Sequence, residues 1–156
     1  LPPGGENLMA AVLRDLASWQ PVLDAHAELF ESVTEGASIA LVPRWRIDTQ
    51  GTRRANVMPK TDPVPMQLWL REPQGMAVRE GVFTGLAHLA SDVLLIADDD
   101  ALEGALAHAQ PLSELKRRLR RGTLLFMVMR TRDELRARGW SDFLEALGLP
   151  FLGTCR

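Results

Sequence analysis

Tyrosine is absent from this sequence, cysteine occurs once and lysine only twice. A lone thiol, Cys155, has no partner for an internal disulfide and cannot anchor a cysteine-type zinc site. A reducing cytoplasm is the expected compartment. With five phenylalanines and four tryptophans, the core must rest mainly on leucine, valine and alanine. A base-stacking platform has few rings to draw on. Every unbroken apolar run is shorter than about ten residues, whereas a bilayer helix needs roughly 20, so no membrane span is expected. No charged-then-apolar leader opens the sequence. The three histidines, His26, His88 and His108, are too scattered for a metal-ligand pattern.

What is present suits a globular domain. The 156 residues fit one α/β domain spanning 1–156. Apolar residues make up 46% and charged ones 24%, enough to build a core and argue against disorder. The net charge of −2 conceals alternating blocks. Residues 1–35 hold six acids and one base, and 36–79 hold seven bases and three acids. Residues 80–112 hold six acids and no base, and 113–156 hold ten bases and five acids. Such blocks either attract one another within the fold or leave charged faces for partners.

The apolar periodicity predicts helices over 6–20 and 22–35, either two helices or one helix kinked at Pro21. Residues 38–47 begin as a strand, with Pro43 arguing for an edge or a bulge. Beyond it Arg44 and Arg46 alternate with Trp45 and Ile47. Residues 48–63 form a long polar connection carrying Arg53, Arg54 and Lys60, and 64–71 form the next strand. Together they suggest an extended hairpin with a basic tip. Pro73 and Gly75 turn the chain within 72–81, and 82–91 is expected to be a short helix.

Val93 to Ala97 is a continuous apolar run, the mark of a strand buried on both faces. A helix is expected over about 100–109, then another from Ser113 to Arg121 with Leu112, Leu115 and Leu119 in line. Thr123 to Met129 is a second buried strand. Thr131 and Glu134 have capping-box spacing. Ser141 is expected to cap a final turn ending at Leu147, with Leu149–Leu152 as a last short strand. The strand–helix alternation after residue 93 predicts parallel pairing. The fold expected is mixed α+β: a central mixed sheet of about five strands with helices packed on it and an N-terminal helical pair.

Three clusters are candidates for chemistry. Asp98, Asp99 and Asp100 sit where the central strand stops, the rim where α/β sheets tend to bind ligands. Carboxylates there suit Mg²⁺, which takes oxygen ligands. The structural alternative is that Asp100 caps the next helix and Glu103 completes a capping box. The run Lys116-Arg117-Arg118-Leu119-Arg120-Arg121 offers Lys116, Arg117, Arg120 and Arg121 for anion or nucleic-acid binding, with Arg53, Arg54 and Lys60 as a second contact. Its alternative is a solvated helix face complementing the helix dipole. Cys155 has no adjacent base to activate it and is expected to be an ordinary thiol.

Local stretches resemble known families. VLLIADDD is similar to the first strand and acidic pocket of response-regulator receiver domains, but no lysine follows Lys116 as a later receiver strand would require. Arg79-Glu80-Gly81 with Asp98-x-Asp100 resembles the Toprim pattern of primases and topoisomerases. That resemblance implies Mg²⁺ held by Glu80, Asp98 and Asp100 for phosphodiester chemistry, although the spacing from Glu80 to Asp98 is short for that fold. Leu149 to Arg156 is similar to the nucleophile strand of class I glutamine amidotransferases, with no histidine or acid after Cys155. No catalytic residue follows from these fragments. The leading expectation is a non-catalytic protein-interaction or regulatory domain acting through charged faces and the 48–63 loop. Another protein is the expected partner, nucleic acid is the alternative, and self-association is open.

Overall fold

A computed structural model describes residues 16–44, 47–49, 57–59, 64–98 and 100–149. Its centre is a five-stranded mixed sheet with helices packed on it. The strands are β1 (Ser38–Pro43), β4 (Val64–Glu72), β5 (Gly75–Phe83), β6 (Val93–Ala97) and β7 (Leu124–Val128), in the order β5-β4-β1-β6-β7. Two short strands, β2 (Ile47–Thr49) and β3 (Val57–Pro59), pair antiparallel as a separate ribbon. The helices are α1 (Leu16–Ala25), α2 (Ala101–Ala107), α3 (Pro111–Arg121), α4 (Arg132–Ala137) and α5 (Ser141–Ala146).

β6 lies inside the sheet. It runs parallel to β1, Ile39 opposite Val93 through Pro43 opposite Ala97. All five of its residues are buried, as a strand covered on both faces requires. Pro43 closes β1 and does not push that strand to the edge, because β4 and β6 flank it.

β7 pairs antiparallel with β6, contrary to the parallel arrangement expected from the alternation. The cause lies in α2 and α3. A single crossover helix returns the chain to the starting end of the sheet. Here the chain breaks between Ala107 and Pro111, and the second helix doubles back. The first turn of α2 therefore meets the last turn of α3, with Asp100 paired to Arg118, and β7 starts beside the end of β6. α3 begins at Pro111 itself, an acceptable first helical residue.

Two further expectations change. Residues 75–83 are a strand, not a turn followed by a helix. The turn is confined to Pro73 and Gln74, and only Leu86–His88 makes a single 3-10 turn. The apolar spacing of Val82, Phe83, Leu86 and Leu89 mimics a helix stripe, but pairing with β4 wins from Glu72–Gly75 to Val64–Phe83. Of the N-terminal helical pair, α1 runs through Pro21 without a break and ends at Ala25. Residues 1–15 lie outside the described residues.

The helix-covered face carries Ile39, Leu41, Trp69, Val93 and Leu95 against α1 to α5. Five rings cluster there: Trp69 contacts Trp19 at 5.5 Å and Phe143 at 6.2 Å, and Phe143 contacts Phe30 at 5.0 Å and Trp140 at 6.1 Å. Each buried side chain of this kind contributes about 1.5–3 kcal/mol. Locked in the core, these rings are not a surface for stacking bases. The other face is smaller and holds Ala40, Val42, Leu94, Ile96, Met66 and Phe83 under Ile47, Leu86 and Leu89. Among the described residues no helix is long and apolar enough to cross a membrane.

Candidate functional site

Because β1 and β6 are parallel, both deliver their next residue to one rim. Arg44 follows β1 and Asp98 follows β6. Arg44 Nη1 donates to Asp98 Oδ1 at 3.2 Å and to the Gly122 carbonyl at 3.1 Å. Gly122 is the left-handed cap of α3, with φ of +80°. That conformation suits glycine, and it leaves the carbonyl within reach of Arg44. The root of the long connection after β1 is thereby fastened to the basic end of α3.

Asp100 does not form the expected capping box with Glu103. It occupies the cap position of α2 without a side-chain cap bond. Its carboxylate instead lies 3.0 Å from Arg118 Nη1 and is largely exposed. Arg118 also donates through Nε to Glu114 at 2.8 Å, and Arg117 bonds the same carboxylate. Glu114 is only 3% exposed. The Arg118 hydrogen bond lowers its carboxyl below the ordinary value, burial opposes this, and Arg117 lowers it further. The bonds to Glu114 and Asp100 hold Arg118 above its ordinary value. Gly104 makes room for this guanidinium, since a Cβ there would sit 2.6 Å from Arg118 Nη2.

The proposed metal ligands are not all together. Glu80 is opposite Gln67 on β4, Gln67 opposite Leu41 on β1, and Leu41 opposite Leu95 on β6. Three strand spacings of about 4.8 Å put Glu80 roughly 14 Å from β6. Among the described residues, no three histidine, cysteine or acidic side chains form a group suited to a metal ion. Asp98 and Asp100 share the rim, each with a guanidinium partner, and Asp99 lies outside the described residues.

Of the proposed anion-binding residues, Arg117, Arg120 and Arg121 are exposed on α3, and Lys116 is partly covered. Its stem passes close to Gly148. Arg53, Arg54, Lys60 and Cys155 lie outside the described residues.

No protein-family model, curated protein or solved structure matches this chain. The rim must therefore be interpreted from its own chemistry: a guanidinium-rich surface whose carboxylates are already engaged.

Sequence reasoning missed two residues. Arg44 was legible only as part of an alternating pattern. Asp92, just before β6, is fully buried. Its carboxylate accepts from Arg130 Nε at 3.0 Å, Arg138 Nε at 2.7 Å and Trp140 Nε1 at 2.7 Å. A lone acid beside an all-apolar strand was the available signal. The expected capping box does form, with Thr131 Oγ1 accepting from the Glu134 N–H and Glu134 accepting from the Thr131 N–H.

Proposed function

We propose that this chain is a non-catalytic interaction domain whose basic rim, made by α3 and the root of the connection after β1, docks an acidic segment of a partner protein. The observation that carries the reading is the Arg44 bond to the Gly122 carbonyl, which joins two basic stretches of the sequence at one place. Arg117, Arg120 and Arg121 supply exposed charge beside it. Nucleic acid is the second reading, favoured by the same arginines and disfavoured by the burial of the aromatic cluster. The Mg²⁺-dependent, Toprim-like reading has least support, because Asp98 and Asp100 already face Arg44 and Arg118.

The test is fluorescence anisotropy with a labelled Asp/Glu-rich peptide and a labelled single-stranded oligonucleotide, each at two salt concentrations. The expected result is peptide binding that weakens with salt and is lost in the Arg117→Ala, Arg120→Ala, Arg121→Ala triple variant. Tighter binding of the oligonucleotide, with a steep salt slope, replaces this reading with the second. No binding of either overturns both. Stabilisation by added Mg²⁺ that disappears in Asp98→Asn, Asp100→Asn supports the third reading.

A further inference from the structure

At the opposite end of the sheet, a cavity of about 200 Å³ lies between the end of α1, the turn after it and the β4–β5 hairpin. Its floor is apolar, formed by Leu23, Phe30 and Met76, all buried. Its rim carries Asp24, Glu31 and Arg71. Clefts for drug-sized ligands run from roughly 300 to 1,000 Å³, so this one suits something smaller.

Two of the rim charges are held in place. Gln20 Nε2 donates to Asp24 Oδ1 at 2.9 Å and to the Met76 carbonyl at 2.8 Å, while Gln20 Oε1 accepts the Val78 N–H at 2.9 Å. Gln20 thus closes part of the β5 edge and fixes Asp24 together. Arg71 Nε donates to the Val33 carbonyl at 3.1 Å, and Arg71 Nη1 to the Glu72 carbonyl at 2.7 Å. Its backbone is tied to Gly36 and Ala37. The partners of Arg71 are therefore carbonyls and not the two carboxylates that share its cavity. Asp24 and Arg71, of opposite charge, thus line one small space and are each anchored from behind.

We propose that this cavity binds a small zwitterion, namely a free α-amino acid with an aliphatic side chain. The ammonium meets Asp24 and Glu31, the carboxylate meets Arg71, and the side chain covers Leu23, Phe30 and Met76. A plain cation is opposed by Arg71, and a plain anion by the two carboxylates. Only a dipolar ligand uses both signs of charge. The site is independent of the basic rim. Arg71 lies level with the start of β1, whereas Arg44 follows its end.

The experiment is a ¹H–¹⁵N NMR titration of the full chain with L-leucine, alongside isoamylamine and 4-methylpentanoate, which each keep one charge. Leucine at roughly millimolar concentration is expected to shift the amides of Gln74, Gly75 and Met76. Losing one charged hydrogen-bond partner weakens binding about tenfold or more, so both single-charge analogues should bind at least that much more weakly. Asp24→Asn with Glu31→Gln should weaken leucine similarly. These are exposed positions, so the melting temperature should hold and loss of binding will not be confused with unfolding. The proposal is overturned if leucine leaves those amides unmoved, if the amine or the acid alone binds as well as leucine, or if the double variant binds leucine unchanged.

Discussion

At the amino end of β6, Asp92 has no exposed surface and accepts from Arg130, Arg138 and Trp140. At the carboxyl end, Asp98 is about a third exposed and faces Arg44. The same side chain brackets the same strand in two different solvents. A charge taken out of water must be matched by fixed donors, and removing either party is then severe. A charge left at the rim keeps its water, and its ion pair contributes little. The amino end is thus a clamp tying β6 to β7, α4 and the start of α5. The carboxyl end keeps its paired charges in contact with water.

The largest test of this contrast is Asp92→Ala. Leaving two guanidinium groups and an indole N–H without their acceptor is expected to cost about 3–5 kcal/mol, measured by urea denaturation. Asp92→Asn should cost less, because an acceptor oxygen remains. A cost under 1 kcal/mol for the alanine variant would remove the clamp. Next comes Gly139→Ala, at the loop that carries Arg138 and Trp140. Gly139 has φ of +87°, and a Cβ there would collide with the Ser32 carbonyl. The conformation alone is expected to cost about 1–2 kcal/mol, and the collision adds to it.

A third test uses pH, through Glu114 on α3 and Glu134 at the start of α4. The folded-state value of Glu114 is below its ordinary 4.5. Its contribution is therefore complete above about that pH and is lost as pH falls toward the lowered value. Glu134 behaves likewise, held down first by the Thr131 N–H and then by the Thr131 hydroxyl. Stability should decline on acidification below pH 4.5. Glu114→Gln should flatten part of that decline, and an unchanged acid limb would contradict the assignment. The smallest effects belong to Asp98→Asn and Asp100→Asn, each expected to change stability by less than about 1 kcal/mol. A loss as large as that of Asp92→Ala would erase the distinction between the two ends.

Much of the fold was legible one segment at a time. Val93–Ala97 announced a strand buried on both faces, Leu112, Leu115 and Leu119 marked the inner side of α3, and Thr131 with Glu134 marked the start of α4. These signals act within a few residues of one another. β5 was hidden because Val82, Phe83, Leu86 and Leu89 also fit a helix, and only pairing with β4 decides between the two. The acids read unevenly for a related reason. Three consecutive aspartates drew attention to 98–100, while a single Asp92 gave no sign of the arginines 38 and 46 residues away.

The sequence alone determined that this chain builds a mixed α/β core around an aliphatic strand and carries its basic charge on an amphipathic helix. Periodicity and capping are properties of neighbours, and they survive without knowledge of the fold. The tertiary structure alone decided that β7 runs antiparallel to β6, that Asp92 is the enclosed acid, and that Arg44 reaches the cap of α3. Desolvation and strand pairing depend on which distant residues arrive beside a group, and no local pattern encodes that arrival.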